Sequence, residues 1–260
     1  MKKRGQLGIF ILLAIIVAVA IISLLFLSSR EIEVPSAQPP LQQIKIIYSS
    51  CLNEVSKNAL FVVGQQAGYA FLPEDESKVF LSGNQEQQDL SFLEVPYVYN
   101  KGQTSVPSLE FIEKEIADFV EVELVTCLAS KDLEEVSEGY TIDFKNTRPE
   151  VSESLEEKIL FKVNNVAKLS KGTASFDLGI ISTGLPSRIK FIQEVMTNSA
   201  KRLAAEKREG ITDITLDYLY TTGLKVDIYP FDNNDVVFVM HDPLTVYDGE
   251  SYTFMFAVKL

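Results

Sequence analysis

Side chains that bind metals or begin catalysis are scarce in this sequence. It has one histidine, His241, and two cysteines. A structural zinc site usually needs four ligands, so the composition argues against one. The chain also has no Gly-rich loop after a strand pattern, no G-x-S-x-G motif and no histidine pair at metal spacing. We expect no cofactor, no metal and no enzymatic activity, and we expect His241 to lie in a loop or at a strand edge.

Basic residues are too few to balance the acidic ones. The chain has 24 Lys and Arg against 36 Asp and Glu. Without Lys2, Lys3, Arg4 and Arg30, which flank the N-terminal apolar stretch, 20 basic and 36 acidic residues leave a charge of −16. Nucleic acids are bound by clusters of Lys and Arg, so we exclude them as partners. Such acidity is more typical of solubility or salt adaptation than of a specific cation site.

Charge is absent from the 21 residues between Leu7 and Leu27. At 1.5 Å per residue, a helix of this length reaches roughly 30 Å, the thickness of the hydrocarbon core of a bilayer. Secretory signals usually have a shorter apolar region and a clear cleavage site. A buried helix of a soluble domain rarely has so long an uncharged run. The sequence therefore predicts a transmembrane helix over residues 7–29 that contacts the lipid bilayer through 7–27.

The flanks of this helix predict its orientation. Lys2, Lys3 and Arg4 precede it, and positively charged flanks stay in the cytoplasm. Residues 1–6 are then a basic cytoplasmic leader, and everything after about residue 30 lies outside. We expect a single-pass protein of the cell membrane with a cytoplasmic N-terminus and an extracellular C-terminal domain.

The same segment, KKRGQLGIF, resembles the leader of archaeal type IV pilin-like proteins. In these proteins a short basic segment ending in Gly is cut just before the apolar helix. The resemblance implies cleavage between Gly5 and Gln6. Pilins generally carry Glu at the fifth mature position, where this chain has Phe10. Two alternatives stay open: a permanent anchor and a processed filament subunit.

Proline marks the boundary between anchor and domain. Pro35, Pro39 and Pro40 predict an extended, polyproline-like linker over residues 30–40. The folded domain is then expected over 41–260.

Two long amphipathic helices open this domain. The first carries Cys51 and is expected to stop near Gly68, and the second begins after the N-cap Ser108 and carries Cys127. The apolar stripes consist of Ile44, Ile47, Cys51, Val55, Ala59 and Val62 in the first helix, and of Leu109, Ile112, Ile116, Phe119, Leu124 and Cys127 in the second.

The two cysteines lie on the apolar faces of these helices. Outside the cytoplasmic membrane free thiols are uncommon, so we predict a disulfide between Cys51 and Cys127. It would close a loop of about 77 residues and restrain the unfolded chain by roughly 4.5 kcal/mol. Two inert buried thiols are the alternative.

The C-terminal part is rich in strand patterns and contains an internal repeat. Residues 158–163 alternate between apolar and polar, and Phe161 and Gly172 each have a counterpart 77 positions later, Phe238 and Gly249. A Pro-Ser pair precedes a helix pattern in both blocks. We predict a duplicated unit of one helix and three antiparallel strands, over residues 106–182 and 185–260.

These patterns together predict an α+β fold. An N-terminal transmembrane helix is followed by an extracytoplasmic domain in which long amphipathic helices pack on antiparallel sheet. The segments GYAF, VPYVYN, PSLEFIEKEI and FMFAVK are similar to those of uncharacterised archaeal membrane-anchored proteins of woesearchaeal and pacearchaeal lineages. This resemblance covers nearly the full length and implies the same topology, without an activity.

The first functional hypothesis is a cell-surface module whose outer domain binds a protein, a glycan or another copy of itself. The second is a pilin-like filament subunit, and the third is an extracellular hydrolase, which would need a concave site with converging polar groups. Candidate contact residues are the aromatic Tyr97, Tyr99, Tyr218, Tyr220 and Tyr229.

Overall fold

The computed structural model describes most of the chain from residue 39 onward. The described residues are 39–72, 78–81, 93–137, 139–154, 157–206, 213–231 and 234–260. The predicted leader (1–6), with Lys2, Lys3, Arg4, Gly5 and Gln6, and the predicted transmembrane helix (7–29) lie outside this part. Within it, no helix has the length and apolar character needed to cross a membrane. The chain divides into two units, residues 1–42 and 43–260.

Five helices are described. They are α1 (Pro39–Gln65), α2 (Leu109–Ala129), α3 (Leu133–Ser137), α4 (Ile189–Glu206) and α5 (Asp213–Thr221). The first begins at Pro39, two residues before the predicted start of the domain, so Pro39 and Pro40 belong to its first turn and not to the linker. Proline fits there because the first N–H groups of a helix have no partner within the helix.

Twelve strands are described. They are β1 (Lys78–Leu81), β2 (Leu93–Asn100), β3 (Gln103–Thr104), β4 (Thr141–Phe144), β5 (Glu150–Ser154), β6 (Lys158–Val163), β7 (Ala167–Lys171), β8 (Ala174–Asp177), β9 (Ile181–Pro186), β10 (Lys225–Pro230), β11 (Asp235–Tyr247) and β12 (Glu250–Lys259).

The predicted α+β class is confirmed, and the largest sheet is mixed. Its strand order is β1-β2-β12-β11-β10, with β3 paired to β2. All pairs are antiparallel except that of β12 with β2, which places Ala257 opposite Tyr97. The sequence predicted only antiparallel pairing. A parallel neighbour so distant in the chain leaves no local turn signal, because it does not depend on a hairpin.

Strands β6 to β9 form one long hairpin that bends. The pairs β6–β9 and β7–β8 belong to two separate three-stranded sheets, completed by β5 and β4 respectively. Backbone hydrogen bonds from Val166 N to Gly179 O (3.1 Å) and from Leu178 N to Ala167 O (2.9 Å) continue the pairing across the bend. Asn165 and Gly179 have positive φ there, 53° and 69°, which changes the chain direction on both strands.

The two blocks of the predicted repeat share one register. In the first, Val151 of β5 pairs with Phe161 of β6. In the second, Ile228 of β10 pairs with Phe238 of β11, and each lies 77 positions after its counterpart. The blocks otherwise differ from the prediction, because each contains two helices and the first contains more than three strands.

The centre of the large sheet is buried on both faces. On one face the rings of Phe238 and Phe256 stack with centroids 4.9 Å apart. The other face carries a separate apolar cluster, which consists of Val79, Val95, Tyr97, Val237, Val239, Met255 and Ala257. This double burial explains why β11 is apolar at consecutive positions, as central strands are.

Helix α1 approaches the backbone of β12 very closely at Gly64. A Cβ atom on this residue would lie 2.5 Å from the carbonyl oxygen of Thr253 and 2.9 Å from the hydroxyl of Tyr252. The Tyr252 hydroxyl in turn donates a hydrogen bond to the Leu60 carbonyl (3.2 Å). Only glycine permits this contact between helix and strand.

We expect Gly64→Ala to lower the free energy of unfolding of the full chain by about 2 kcal/mol, because the added methyl group overpacks the contact. Alanine normally favours a helix over glycine by about 1 kcal/mol, so the sign of the effect is diagnostic. Asn58→Ala, on the exposed face of α1, is the matched control. Chemical denaturation in detergent measures both variants, and a stabilised Gly64→Ala would contradict the packing.

Candidate functional site

A disulfide joins α1 to α2. The Sγ atoms of Cys51 and Cys127 lie 2.10 Å apart and their Cα atoms 5.8 Å apart. The structure therefore places the predicted pair at bonding distance. Cys51 is fully buried and Cys127 is half-buried. Since each cysteine occupies a helix, the bond fixes the two helices against each other near the N-terminal half of α1.

The same two helices are tied a second time, where the turn after α1 meets the N-terminal half of α2. Glu115 of α2 is buried, and its Oε2 accepts hydrogen bonds from the N–H groups of Ala70 (3.0 Å) and Phe71 (3.1 Å). Gly68 has a φ of +98° and stands against Ile112 of α2. Helix α1 ends at Gln65, close to the predicted stop, and Gly68 continues the turn that follows, because glycine adopts this conformation without strain. The antiparallel helix pair is thus held at two separate places.

A row of polar side chains crosses three strands of the large sheet. We call Asp227 of β10, His241 of β11 and Thr253 of β12 the polar row. His241 Nε2 lies 3.2 Å from Asp227 Oδ2, and its Nδ1 lies 2.9 Å from Thr253 Oγ1. His241 lies inside a strand with neighbours on both sides, so the prediction of a loop or strand edge is wrong. Its position escaped prediction because β11 is longer than its apolar run.

The polar row has the residue types of a catalytic triad but a different arrangement. Thr253 Oγ1 donates to the carbonyl of Ser251 (3.3 Å) and so has a partner other than the imidazole. All three groups lie on one face of the large sheet, on adjacent strands. Among the described residues, no group of three or more His, Cys, Asp or Glu side chains is placed to hold a metal ion. The polar row is therefore better explained as a set of hydrogen bonds between neighbouring strands than as a catalytic site.

A buried ion pair shapes the hairpin of β11 and β12 next to the polar row. Asp242 is fully buried, and its Oδ1 accepts from Arg188 Nη1 at 2.9 Å. It also accepts from the Leu244 N–H (3.2 Å) and from the Thr245 hydroxyl (2.7 Å). These bonds build the bulge between Asp242 and Val246, which turns Leu244 into solvent. No sequence pattern predicted this pair, because Arg188 and Asp242 lie 54 positions apart in the chain.

We expect Asp242→Ala to lower the free energy of unfolding by about 3–5 kcal/mol, because it leaves the largely buried Arg188 guanidinium with only the exposed Glu157, 3.4 Å from its Nε, as an acidic partner. Asp248→Ala is the control on the same hairpin. It removes an exposed contact with Lys57, and we expect a change of less than about 1 kcal/mol. Denaturant titration of both variants compares them, and effects of equal size would refute the assignment.

A second polar contact joins α2, β5 and α4 through carboxylates. The Glu153 N–H donates to Glu113 Oε1 (3.2 Å), and Glu153 Oε2 accepts from the Lys190 N–H (3.1 Å) in the first turn of α4. Burial raises the pKa of the Glu153 carboxyl from 4.5 to about 7. The hydrogen bond and charge of Lys190 lower this pKa, whereas the charges of Glu113 and Glu194 raise it further.

Since the folded-state pKa of Glu153 exceeds its unfolded value, its contribution to stability is complete below about pH 4.5 and is lost as the pH rises through 7. Glu153→Gln keeps an acceptor for Lys190 without the charge. At pH 8 we expect this variant to be more stable than wild type by about 1 kcal/mol, a figure reduced for partial exposure to solvent. At pH 4 the two should be equal.

Unfolding experiments at both pH values measure this difference. Glu54→Gln, on the exposed face of α1, is the matched control. A constant difference between Glu153→Gln and wild type across the pH range would contradict the role of the buried carboxyl.

Of the five tyrosines predicted as exposed contacts, two are buried, two are half-buried and one is exposed. Tyr97 and Tyr99 are buried in β2, so this prediction is wrong for them. Tyr229 is half-buried against the apolar cluster, and Tyr218 stacks with Arg202, whose guanidinium carbon lies 4.5 Å from the ring centroid. Tyr220 alone of the five is largely exposed. The parallel pairing of β2 with β12 buries the first two residues.

No protein-family model, curated protein sequence or solved structure matches this chain.

Proposed function

We propose that this chain is a single-pass, membrane-anchored cell-surface protein whose outer domain serves binding or structural interaction. The observation that carries the proposal is the Cys51–Cys127 pair at bonding distance between two helices. Disulfides persist in oxidising compartments, whereas cytosolic thiols are kept reduced. A domain tied in this way belongs outside the cytoplasmic membrane.

The sequence supports the same location independently. The uncharged run from Leu7 to Leu27 follows three basic residues, and the domain after it carries a large negative charge. An anchor with a cytoplasmic N-terminus carries the domain to the outer side. The resemblance to archaeal membrane-anchored proteins supports this topology as well.

Interaction rather than catalysis is proposed because the polar groups of the domain act as structural partners. His241 is engaged by Asp227 and Thr253, while Glu115 and Glu153 accept from backbone N–H groups. A general base instead needs a free face toward a substrate.

The outer domain is further proposed to contain a duplicated unit. The shared register of β5–β6 and β10–β11 supports it, as do the Ser residues that precede both helices. The Ser108 hydroxyl accepts from the Phe111 N–H, and the Ser187 hydroxyl accepts from the Ile189 N–H. The two blocks then differ by the additional strands of the first.

Protease added to whole cells tests the proposed topology. We expect it to digest the domain of the wild-type chain, because the domain faces outward, as followed by immunoblotting against the domain. Replacing Lys2, Lys3 and Arg4 by Glu should reduce the digested fraction, since it removes the positive flank that holds the N-terminus inside. Lysed cells are the control, in which both chains should be digested. A wild-type domain that resists protease until lysis would refute the topology.

The mature N-terminus distinguishes the anchor from the pilin-like alternative. An intact leader, measured by mass spectrometry, supports the permanent anchor. A chain that begins at Gln6 supports processing between Gly5 and Gln6 and a filament subunit.

A further inference from the structure

Strand β10 forms an edge of the large sheet. Within the described residues it pairs with β11 and with no other strand. Just after it, the Phe231 N–H donates to the Asp235 carbonyl at 2.7 Å. Since hydrogen-bonding groups alternate along a strand, the odd-numbered residues of β10 bond to β11. The N–H and C=O groups of Val226 and Ile228 therefore point away from the sheet, at its open edge.

The equivalent edge in the first block is covered. There β5 has the same register 77 positions earlier, and Glu113 of α2 accepts from the outward N–H of Glu153. The position equivalent to Glu153 is Pro230, which has no N–H. Helix α4, the counterpart of α2, packs on β2 and β3, whereas the shorter α5, which precedes β10 in the chain, is the helix that contacts β10. In the described part, the edge of β10 therefore lacks the counterpart of the helix that covers β5.

The side chains of β10 are complementary to those of a second copy. Lys225 and Asp227 share one face of the strand, whereas Val226 and Ile228 share the other. If Val226 lies opposite Val226 of the partner subunit, Lys225 lies opposite the partner's Asp227, and the reverse pair follows by symmetry. On the other face, Ile228 meets Leu224 of the partner subunit. Opposite charges are thus matched across the two strands. Within one subunit Lys225 Nζ already lies 4.0 Å from Asp227 Oδ2, so the partner's charges extend an existing pair, and Leu224 is largely buried in its own subunit.

In this register the outward backbone N–H groups of Val226 and Ile228 also find carbonyl partners. The outward N–H of Val226 reaches the carbonyl of the partner's Val226, and the N–H of Ile228 reaches the carbonyl of the partner's Leu224. Each bond occurs twice by symmetry, which gives four. The N–H of Leu224 is not required, because it already donates to the Thr222 hydroxyl at 3.3 Å.

The neighbouring symmetric registers match charges less well. Centring the pair on Ile228 also allows four backbone bonds, because Pro230 has no N–H to donate but keeps its carbonyl, yet it places Asp227 opposite Tyr229 and Lys225 opposite Phe231. Centring it on Asp227 places two carboxylates opposite each other and uses backbone groups that already bond to β11.

We infer that β10 pairs antiparallel with β10 of a second copy of this chain, so that the large sheet runs through two subunits. The polar row continues across the contact, since Asp227 lies beside His241 within one subunit and opposite Lys225 of the partner subunit. Such addition of strand to strand is a common mode of recognition at open sheet edges. The inference rests on the proposed role as an interaction domain and names its partner.

Light scattering after size-exclusion chromatography tests this pairing on the full chain in detergent, over a dilution series. We expect a dimer. Lys225→Glu places like charges opposite each other twice and should weaken the dimer about tenfold. Val226→Pro removes an outward N–H without breaking a bond to β11, and it should weaken the dimer at least as much. The double variant Lys225→Asp/Asp227→Lys exchanges the charges and should restore it.

Lys201→Glu, on the exposed face of α4, changes the net charge equally and should leave the dimer intact. A chain that stays monomeric at every concentration overturns the inference. So does a dimer that neither Lys225→Glu nor Val226→Pro weakens, since its contact would then lie elsewhere, for example in residues 7–27. Neither result bears on the protease experiment, because a monomer can also be anchored at the cell surface.

Discussion

The pairing of α1 with α2 is the constraint on which the rest of the domain depends. The disulfide joins the middle of α1 to the last turn of α2, and the buried Glu115 of α2 holds the turn after α1. The bond joins residues 76 positions apart, and in the chain-entropy description such a loop restrains the unfolded chain by roughly 4.5 kcal/mol. That is a large fraction of the stability of an ordinary domain.

Because α1 is fixed in this way, it can join the two blocks of strands. Asn53 accepts from the Thr183 hydroxyl of β9 at 3.2 Å, and the carbonyl of Leu60 accepts from Tyr252 of β12. Gly64 then permits the closest approach to β12. Helix α1 thereby contacts both the bent hairpin of β6 to β9 and the large sheet. Its buried stripe of apolar residues explains the strong helical periodicity of this segment.

The sequence predicted those features that depend on local rules. The N-cap at Ser108, the stop near Gly68 and the alternation of β6 all follow from residue type and spacing, and all are present. The pairing of Cys51 with Cys127 was predicted from the expected location outside the cytoplasm and from the apolar helix faces that carry both cysteines. The ion pair of Arg188 with Asp242, by contrast, joins a helix start to a distant bulge.

The other differences between the predicted and the observed structure also arise from contacts between residues that are distant in the chain. The parallel pairing of β2 with β12 has no local signal, and it carries Tyr97 and Tyr99 into the interior. The polar row depends on the register of three strands, which single-sequence patterns do not fix. Because the two blocks share one register, the edges of β5 and β10 can be compared directly. Helix α2 covers the edge of β5, whereas the equivalent edge of β10 is open among the described strands.

The central claim is that Cys51 and Cys127 are oxidised to a disulfide in the native protein, as the proposed location outside the cytoplasm requires. The most direct measurement treats intact cells with a permeable thiol reagent and keeps the reagent in excess during denaturation without reductant, so that buried free thiols also react. Mass spectrometry of the chain then counts the alkyl groups. The account predicts that Cys51 and Cys127 carry no alkyl group and become reactive only after reduction. A chain alkylated at both cysteines before reduction would contradict it.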